Sequence, residues 1–523
     1  MNLIPSAQAL LQDVTPSSGP WLSLMVLFPA LVSALIWLVK PLREHGRKIA
    51  LWSSVAMLVG FVALAFTFDW STAGTTQFVE SYYWIPQVGI TWSLGLNVLG
   101  LVMLLLTASL VILVLADVTD DEEGTDRSAG YSALVMLLYA FIVIIFAAFD
   151  LVVFYIAFEA MLIPLFFMIG RFGRGENRQR AAMKFLIYSL LGGLVMLGGI
   201  IVILANVGAG DGATFRYSDL RQTLPGLPFG VQLAIFIPIL IAFAIKAPMV
   251  PVHTWLPDTA AEARPSTSVL LVGILDKIGT YGMVVILLFM LPGAIDAVRP
   301  TVLILAVVSI LWGGFAANGQ KNLLRLVAFT SISHFGFMIL GIFIGSDIAL
   351  TGAMFFMVAH GLSIAALFFI SGWLIDRGKT SSVYEYGGMQ QVTPVLAGTW
   401  LFAGLASIAL PGLSGFVPEY LVLMGTYKVS IPLAIFAVLG VLLAAMYILM
   451  PYQRIFTGRV NPKLSDVPDL TGRQKWIVAP ILAATVVLGI WSAPLVGSLN
   501  QISEQAPMQV SSASVAHDVE GSN

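Results

Sequence analysis

Four ionisable side chains lie deep inside hydrophobic segments of this sequence. Lys246 and Lys277 are the two of its 26 basic residues that do so, and Glu159 and Glu419 lie inside two further segments. A charge at the centre of a bilayer costs at least about 2.5–3.5 kcal/mol on insertion scales. Chains keep such residues mainly where they face one another, a water-filled cavity or an ion path. The four residues therefore indicate a route for protons or cations.

The composition is that of a polytopic membrane protein. Of 523 residues, 58% are hydrophobic and 10% are charged, whereas soluble domains carry about 25% charged residues. The mean hydropathy is +0.93. The sequence contains no cysteine, which excludes thiolate-ligated iron–sulfur clusters, disulfides and thiol catalysis. The net charge of −2 argues against binding to nucleic acid. The first twenty residues lack a basic start, so we interpret them as a polar lead and not a cleaved signal peptide.

The predicted fold class is all-α, with about fourteen transmembrane helices of about 20 mostly apolar residues each. Their least certain division is near Asp150, where two segments meet with almost no loop. The predicted cores are 21–39, 49–68, 95–115, 131–149, 150–170, 182–206, 231–257, 266–290, 300–318, 323–345, 349–375, 394–426, 430–452 and 476–496.

The loops between these segments carry an uneven share of the basic residues. Twenty of the 26 Lys and Arg residues lie in alternate loops, which the positive-inside rule places in the cytoplasm. The opposite loops hold Arg216, Arg221, Arg299 and Lys428. Both termini are then predicted on the non-cytoplasmic side. The acidic loop 117–126 lies on the positive side, but acidic residues count little in this rule.

Two segments are predicted to be broken helices. The seventh reads IAFAIKAPMVPVHTWLPD, in which Pro248 and Pro251 each remove a backbone donor beside Lys246. The twelfth reads LASIALPGLSGFVPEYLV, in which Pro411 and its neighbouring glycines interrupt the helix near Glu419. Backbone groups freed in this way cannot face lipid, so they must line protein or water. Each break therefore lies next to an intramembrane charge.

The two breaks are five segments apart, which indicates two five-helix repeats of opposite topology. We assign the first repeat to residues 131–290 and the second to 300–455. Residues 1–130 then hold the first three helices, and 456–523 hold the last helix and a tail. The alternative is that proline and glycine are simply common in membrane helices.

The buried charges need partners. Glu159 lies about 14 Å along its helix from Asp150, near the midplane, and Lys246 is its best partner because an unpaired buried charge is far costlier. A static ion pair is the alternative to proton transfer. Lys277 lies near the middle of the eighth segment. Burial lowers the pKa of a lysine and a nearby carboxylate raises it, so a lysine subject to both effects can exchange a proton near neutral pH. Asp276 lies roughly 100° around the same helix, so we expect it to pair with another group across a helix interface.

Three histidines extend this set. His334 and His360 lie mid-segment in adjacent segments, and histidine passes protons in either direction near neutral pH. Hydrogen bonding between packed helices is the alternative. His253, at the end of the seventh segment, either caps or gates the break. No pair of histidines has a spacing that argues for haem ligation, and no metal site is predicted.

Other residues near segment ends receive simpler interpretations. Glu419 is the last titratable group in chain order and can exchange with water on one side. Lys184 snorkels to the interface or supplies protons inward. Trp255 and Trp373 are interpreted as interfacial belt anchors. No GxGxxG or Walker motif occurs in a strand–helix setting, so the chain itself is predicted to bind no nucleotide.

The residues around these charges resemble one family. Resemblance to the antiporter-like subunits of respiratory proton-pumping NADH–quinone oxidoreductase, complex I, extends over residues 90–455. Within the family the M-type fits best. Glu419 stands where the N-type has lysine. The L-type has a long lateral helix at its C-terminus, whereas this chain ends soon after segment fourteen. The motifs that carry it are FAIKAPMVPVHTWLPDTAAEARPSTSVLLVGILDKIGTYG, LVVFYIAFEAMLIP, LVAFTSISHFGFMILGIF, AHGLSIAALFFISGWL and LPGLSGFVPEYLV.

The resemblance implies roles for the site residues. Glu159 and Lys246 would pair in the input half-channel, and Lys277 would form a central hydrated axis with the two mid-membrane histidines. Glu419 would release protons on the far side. Asp276 departs from many relatives, which have an apolar residue there. This carboxylate would either strengthen proton binding at Lys277 or tie down a neighbouring helix.

The resemblance also implies an assembly. The partners would be other membrane-arm subunits, especially the L-type and N-type, in a bacterial cytoplasmic membrane. NADH, FMN, iron–sulfur clusters and quinone would be bound by partner subunits, with no cofactor in this chain. One alternative is a subunit of a multi-subunit sodium/proton antiporter or membrane hydrogenase, although lysines on the path favour protons. Another is a stand-alone secondary transporter.

Overall fold

A computed structural model describes residues 14–16, 19–119, 124–207 and 214–507. Among these residues, thirteen helices are long and apolar enough to cross a membrane. The first eleven are α1 (Trp21–Leu38), α2 (Gly46–Thr67), α3 (Val98–Asp117), α4 (Thr125–Ala147), α5 (Leu151–Gly170), α6 (Arg178–Val207), α7 (Phe229–Lys246), α8 (Pro265–Leu288), α9 (Pro292–Asn318), α10 (Leu323–Phe343) and α11 (Asp347–Gly378).

The twelfth predicted segment is two shorter helices, α12 (Pro394–Ser407) and α13 (Phe416–Val429). Two full-length helices follow, α14 (Ile431–Phe456) and α15 (Gly472–Ile490), and then α16 (Ala493–Glu504). The thirteen long helices and the α12–α13 pair match the fourteen predicted segments. Shorter helices are Lys40–Arg43, Tyr217–Thr223, Trp255–Glu262 and Met389–Val392.

The uncertain division near Asp150 is real. Helix α4 ends at Ala147 and α5 begins at Leu151. The Asp150 carboxylate accepts hydrogen bonds from the backbone amides of Val152 (2.9 Å) and Val153 (3.2 Å). An N-cap of this kind satisfies amides that the helix itself leaves free. This cap allows two transmembrane helices to meet with only three residues between them.

A small sheet on the α1 side was absent from the sequence prediction. It comprises β1 (Val14–Pro16), β2 (Thr76–Ile85) and β3 (Ile90–Leu96), with β1 parallel to β2 and β2 antiparallel to β3. Glu80 on β2 is buried and accepts hydrogen bonds from the backbone amides of Leu22 (2.7 Å) and Ser23 (3.1 Å). The sheet therefore caps the start of α1.

Three helices form the interior of the bundle. In α8, α10 and α11 the most apolar stretch is wholly buried by the rest of the chain, whereas that of α1, α2, α6, α14 and α15 is one-third buried or less. The outer helices thus present side chains to lipid, and the inner three do not. Lys277, His334 and His360 lie on these three inner helices. This arrangement keeps polar groups away from the lipid, where they would be costly.

Candidate functional site

The first break lies where the prolines predict it. Helix α7 ends at Lys246, and the next helix begins at Trp255, with Pro248 between them. The Trp255 indole donates a 2.9 Å hydrogen bond to the carbonyl of Ile245, which satisfies a group the break would otherwise expose. Protein groups thus line this irregular backbone, as a membrane setting requires.

The prediction that Trp255 and Trp373 are interfacial belt anchors is wrong. Both side chains are buried. The Trp373 indole donates to the Asp117 carboxylate at 2.9 Å, at the end of α3. A tryptophan near a segment end looks the same in sequence whether its N–H meets water or a buried acceptor.

The second break is also present. Helix α12 ends at Ser407 and α13 begins at Phe416, with Pro411 between them. Within the break, the Leu410 amide donates to the carbonyl of Leu405 at 3.1 Å. Glu419 lies in the first turn of α13 and is only 4% exposed.

Glu159 and Lys246 lie near each other without forming a direct ion pair. Their charges interact, but no nitrogen–oxygen distance within 4.0 Å joins them, and neither Glu159 Oε1 nor Lys246 Nζ has a hydrogen-bond partner among the described residues. The Lys246 ammonium lies 5.7 Å from the Phe158 ring centroid and 5.5 Å from that of Phe185, within cation–π range. The aromatic faces hold the ammonium while leaving its protons uncommitted.

Gly193 on α6 makes room for the Glu159 side chain. A Cβ atom at this position would lie 1.5 Å from Glu159 Oε1. Any larger residue would displace the carboxylate from its position beside α6. The glycine pair in the sequence SLLGGLVM therefore has a steric role at the site, which the sequence analysis did not identify.

Lys277 meets both histidines at the centre of the bundle. Its Nζ lies 2.8 Å from His360 Nδ1 and also donates to the carbonyl of Val272. The rings of His360 and His334 are 5.0 Å apart between centroids. All three residues are at most 1% exposed. Helix packing thus brings together three residues that are up to 83 positions apart in the chain.

Tyr447 connects the histidines to Glu419, and the sequence analysis missed it. Its hydroxyl lies 3.2 Å from His334 Nε2, and it interacts electrostatically with Glu419. The side chain is fully buried on α14. A single tyrosine within an apolar segment gave no signal, because its neighbour across the helix interface is not encoded locally.

Asp276 is also fully buried, between the two lysines. It interacts electrostatically with both Lys246 and Lys277, and neither of its carboxylate oxygens has a hydrogen-bond partner among the described residues. From the sequence, we expect Asp276 to have a partner across a helix interface. Lys246, on α7, occupies that position.

Lys184 and His253 lie around the first break. The Lys184 ammonium does not simply snorkel, because it forms a 2.6 Å ion pair with Asp258 and donates to the carbonyl of Thr254. The Trp312 indole donates to His253 Nε2 at 3.2 Å. His253 therefore fastens the broken segment to α9.

Asp258 also pairs with Arg325 on α10, so it joins α6, the Trp255–Glu262 helix and α10. Burial acts to raise the pKa of the Asp258 carboxyl, but hydrogen bonds from Lys184 and Arg325 outweigh it and hold that pKa below its ordinary value. A lowered pKa means that the carboxylate stabilises the fold above its unfolded-state pKa, and this contribution is lost as pH falls through the folded-state pKa.

We therefore expect Asp258→Asn to lower the thermal unfolding midpoint of the detergent-solubilised protein at neutral pH. The difference from wild type should shrink on acidification, because the wild-type carboxyl then loses its charge. Asp466→Asn, in an exposed loop, is the control and should leave the midpoint unchanged. An equal midpoint for Asp258→Asn and wild type at neutral pH would contradict the stabilising role.

The structure thus places the six principal predicted residues in one line, of which Glu159 is half-buried and the other five are buried: Glu159, Lys246, Lys277, His360, His334 and Glu419. Consecutive members interact through charge, hydrogen bonds or ring contacts once Asp276 and Tyr447 are included. No group of three or more His, Cys, Asp or Glu residues in the described part of the chain is arranged to hold a metal ion. Groups of these types can pass protons from one to the next.

Comparison with known proteins agrees with the family resemblance seen in the sequence. Residues 148–444 match the family described as NADH:quinone oxidoreductase/Mrp antiporter, TM. The chain is 38% identical to NADH-quinone oxidoreductase subunit M of Mycobacterium tuberculosis, over 96% of this chain and 97% of that protein.

Two solved structures share the fold. A chain of respiratory complex I from Thermus thermophilus matches with a TM-score of 0.83 and 30% identity, covering 92% of this chain and 98% of that chain. A chain of the Mrp complex from a Dietzia species also has a TM-score of 0.83, at 21% identity and with 95% and 99% coverage. From the matched core and the full-length similarity, we conclude that this chain belongs to the NADH:quinone oxidoreductase/Mrp antiporter membrane family and, within it, groups with the subunit M proteins.

Proposed function

We propose that this chain is a proton-translocating membrane-arm subunit of an NADH:quinone oxidoreductase. The observation that supports this most directly is the line of exchangeable groups from the half-buried Glu159 to the buried Glu419. Redox chemistry would take place in partner subunits, so this chain would move protons and no electrons. The similarity to subunit M over nearly the whole length supports the choice of complex.

The first step would take place at Glu159 and Lys246. Quinone reduction in other subunits would change charges along the membrane arm and thereby alter the interaction between these two residues. Weakening that interaction would favour proton transfer from Lys246 toward Lys277. The ammonium is suited to this because it has no hydrogen-bond partner among the described residues and interacts with two carboxylates.

The second step would carry the proton across the centre. Lys277 would pass it to His360 through their 2.8 Å contact, and His334 and Tyr447 would relay it to Glu419. A neutral imidazole can accept a proton on one nitrogen and give one up from the other. Glu419, beside the second break, would then release the proton to water on the non-cytoplasmic side.

Lys184, His253, Pro248 and Pro411 would support this path. The two prolines keep irregular backbone next to Lys246 and Glu419. Lys184 and His253 hold the segment after the first break through Asp258 and Trp312, so that the end of α7 stays in position. These residues would set geometry, and none of them would need to carry a proton.

We further propose that residues 131–290 and 300–455 are two inverted five-helix repeats, flanked by 1–130 and 456–523. In support, each range contains one interrupted helix with a buried ionisable residue at the interruption, Lys246 or Glu419. The central line of residues would then connect two related half-channels.

The assembly would place the chain in a bacterial cytoplasmic membrane with both termini on the non-cytoplasmic side, as the basic loops indicate. Its neighbours would be other membrane-arm subunits, particularly the L-type and N-type antiporter-like subunits. NADH, FMN, iron–sulfur clusters and quinone would be bound by partner subunits.

The test is to purify this chain under mild conditions from native membranes through an affinity tag. We expect co-purification of NADH:quinone oxidoreductase activity, and NADH-driven acidification of inverted vesicles that is unaffected by replacing sodium with potassium. Co-purification of small antiporter subunits without NADH oxidation would favour the sodium/proton antiporter alternative. Transport by the isolated chain in liposomes would favour a stand-alone transporter, and either result would overturn the proposal.

A further inference from the structure

Asp276 faces the broken end of α7. Three residues further along, Gly279 packs so closely against α7 that a Cβ atom there would lie 2.6 Å from both the Phe243 carbonyl oxygen and the Ala247 amide nitrogen. Residues three apart lie on the same side of a helix. Asp276 therefore lies over the last turn of α7, where Lys246 is located.

Lys277 points in a different direction because successive residues of a helix project about 100° apart, and a wide turn precedes the pair. Leu271–Leu275 form a π-helical segment, and the Asp276 amide donates to the carbonyl of Leu271 five residues earlier, at 3.0 Å. Such wide turns occur frequently at functional sites. Lys277 reaches His360 on α11, whereas its neighbour Asp276 faces α7. Two adjacent residues thus connect the two sides of the bundle.

The charges along this part of the molecule alternate in sign. Glu159, Lys246, Asp276 and Lys277 follow one another as acid, base, acid and base, and each consecutive pair interacts electrostatically. Asp276 is fully buried, and both of its oxygens lack hydrogen-bond partners among the described residues. The charges of both lysines therefore act on Asp276, while no described group donates a hydrogen bond to it.

We infer that Asp276 carries the proton between Lys246 and Lys277. This inference rests on the proposed function and gives a proton-transferring role to a residue otherwise only expected to support the path. Neither Lys246 Nζ nor the Asp276 carboxylate has a hydrogen-bond partner among the described residues, so in the first transfer the Lys246 ammonium gives a proton to that carboxylate through an intervening water, leaving a neutral amine and a carboxylic acid. Once Lys277 has passed its own proton to His360, the acid gives its proton through an intervening water to the neutral amine of Lys277, which restores the carboxylate and forms an ammonium.

Burial lowers the free-energy cost of proton transfer from an ammonium to a carboxylate. Removing an ammonium and a carboxylate from water disfavours both charges, so in an apolar interior the neutral pair approaches the ionised pair in free energy. Hydrogen bonds from backbone amides favour the ionised form of a carboxylate, and Asp150 accepts two of them. The lack of such donors around Asp276, among the described residues, leaves it able to change state.

The rival explanation is a static counter-ion that never takes up a proton. Asp276→Asn, Asp276→Leu and Asp276→Glu in the intact complex distinguish the two, with the exposed Asp296→Asn as control. A relay predicts that Asn and Leu lower NADH-driven proton uptake by inverted vesicles about tenfold or more, while Glu restores at least half of it. Subunit content of the purified complex shows whether each variant assembles.

Infrared difference spectra of the complex during NADH turnover give a second measurement. A relay predicts a transient protonated carboxylic acid signal that Asp276→Glu shifts and Asp276→Asn removes. Should the Asn and Leu variants fail to assemble, the shift in the Glu variant alone decides between relay and counter-ion. A spectrum identical to wild type in Asp276→Glu would overturn the relay.

The failure of this inference is distinguishable from failure of the proposed function. If Lys246→Ala abolishes pumping while Asp276→Asn and Asp276→Leu pump at the wild-type rate, the relay is wrong and the function stands. If Lys246→Ala itself pumps normally, the function proposed above is wrong, and the relay is lost with it.

Discussion

Replacing Lys246 with alanine is expected to give a complex that assembles and yet loses proton pumping. The ammonium ends α7 at the first break and interacts with the carboxylates of both Glu159 and Asp276, which no other basic residue in the described part of the chain does. Without it, the two acids face one another across a gap with no group to pass a proton. We expect NADH-driven acidification of inverted vesicles to fall about tenfold or more, a barrier increase of about 1.4 kcal/mol at the least.

Assembly should survive because the substitution removes a buried charge and leaves hydrophobic neighbours, including Phe158 and Phe185, in place. Lys428→Ala, at the end of α13, is the matched control for loss of a lysine. Glu159→Ala should show the same defect, and the double variant should be no worse than either single one, because both residues serve one path. A normal ratio of protons to electrons in Lys246→Ala would remove the hypothesis.

Those features of the site that depend only on a residue and its neighbours in the chain could be predicted from the sequence. Proline removes a backbone donor wherever it stands, so the breaks beside Lys246 and Glu419 were predictable from Pro248 and Pro411. A charged residue inside an apolar segment must be shielded from lipid, so Lys277 and the histidines were correctly expected inside the bundle. Neither argument depends on which helices are neighbours.

The features that could not be predicted depend on which helices pack together and on the direction in which each side chain projects from its helix. Tyr447 became a candidate only when α14 was seen to pack near His334. The direction of Asp276 depends on the π-helical turn before it, which changes the angle at which successive side chains project. Trp255 was misassigned because its acceptor, the Ile245 carbonyl, exists only once the helix breaks.

The β2–β3 hairpin could have been predicted. The sequence TTQFVESYYWIPQVGITWSLGLN is rich in aromatic and β-branched residues, and a proline and a glycine flank its turn. A search for apolar segments of about 20 residues passes over strands of this length. The residue pattern of the hairpin is therefore present in the sequence, but its strands are too short to meet a length criterion for transmembrane helices.

Replacing Glu419 with glutamine is expected to block the far end of the path. The glutamine side chain has nearly the same shape, so it should fit the first turn of α13, but its amide cannot take up and release a proton in the working pH range. No other carboxylate in the described residues interacts with Tyr447. Protons reaching Tyr447 would therefore lack an acceptor, and NADH-driven acidification should fall about tenfold or more.

Two further variants locate the defect. Glu419→Asp keeps the exchangeable carboxylate and should recover part of the pumping lost in Glu419→Gln. Tyr447→Phe removes the hydroxyl that joins His334 to Glu419 and should cause a smaller loss, because a water molecule can replace a single hydroxyl link where space allows. If Glu419→Gln pumps as well as wild type while Lys246→Ala does not, protons leave the central histidines by another route and Glu419 serves only to stabilise the start of α13.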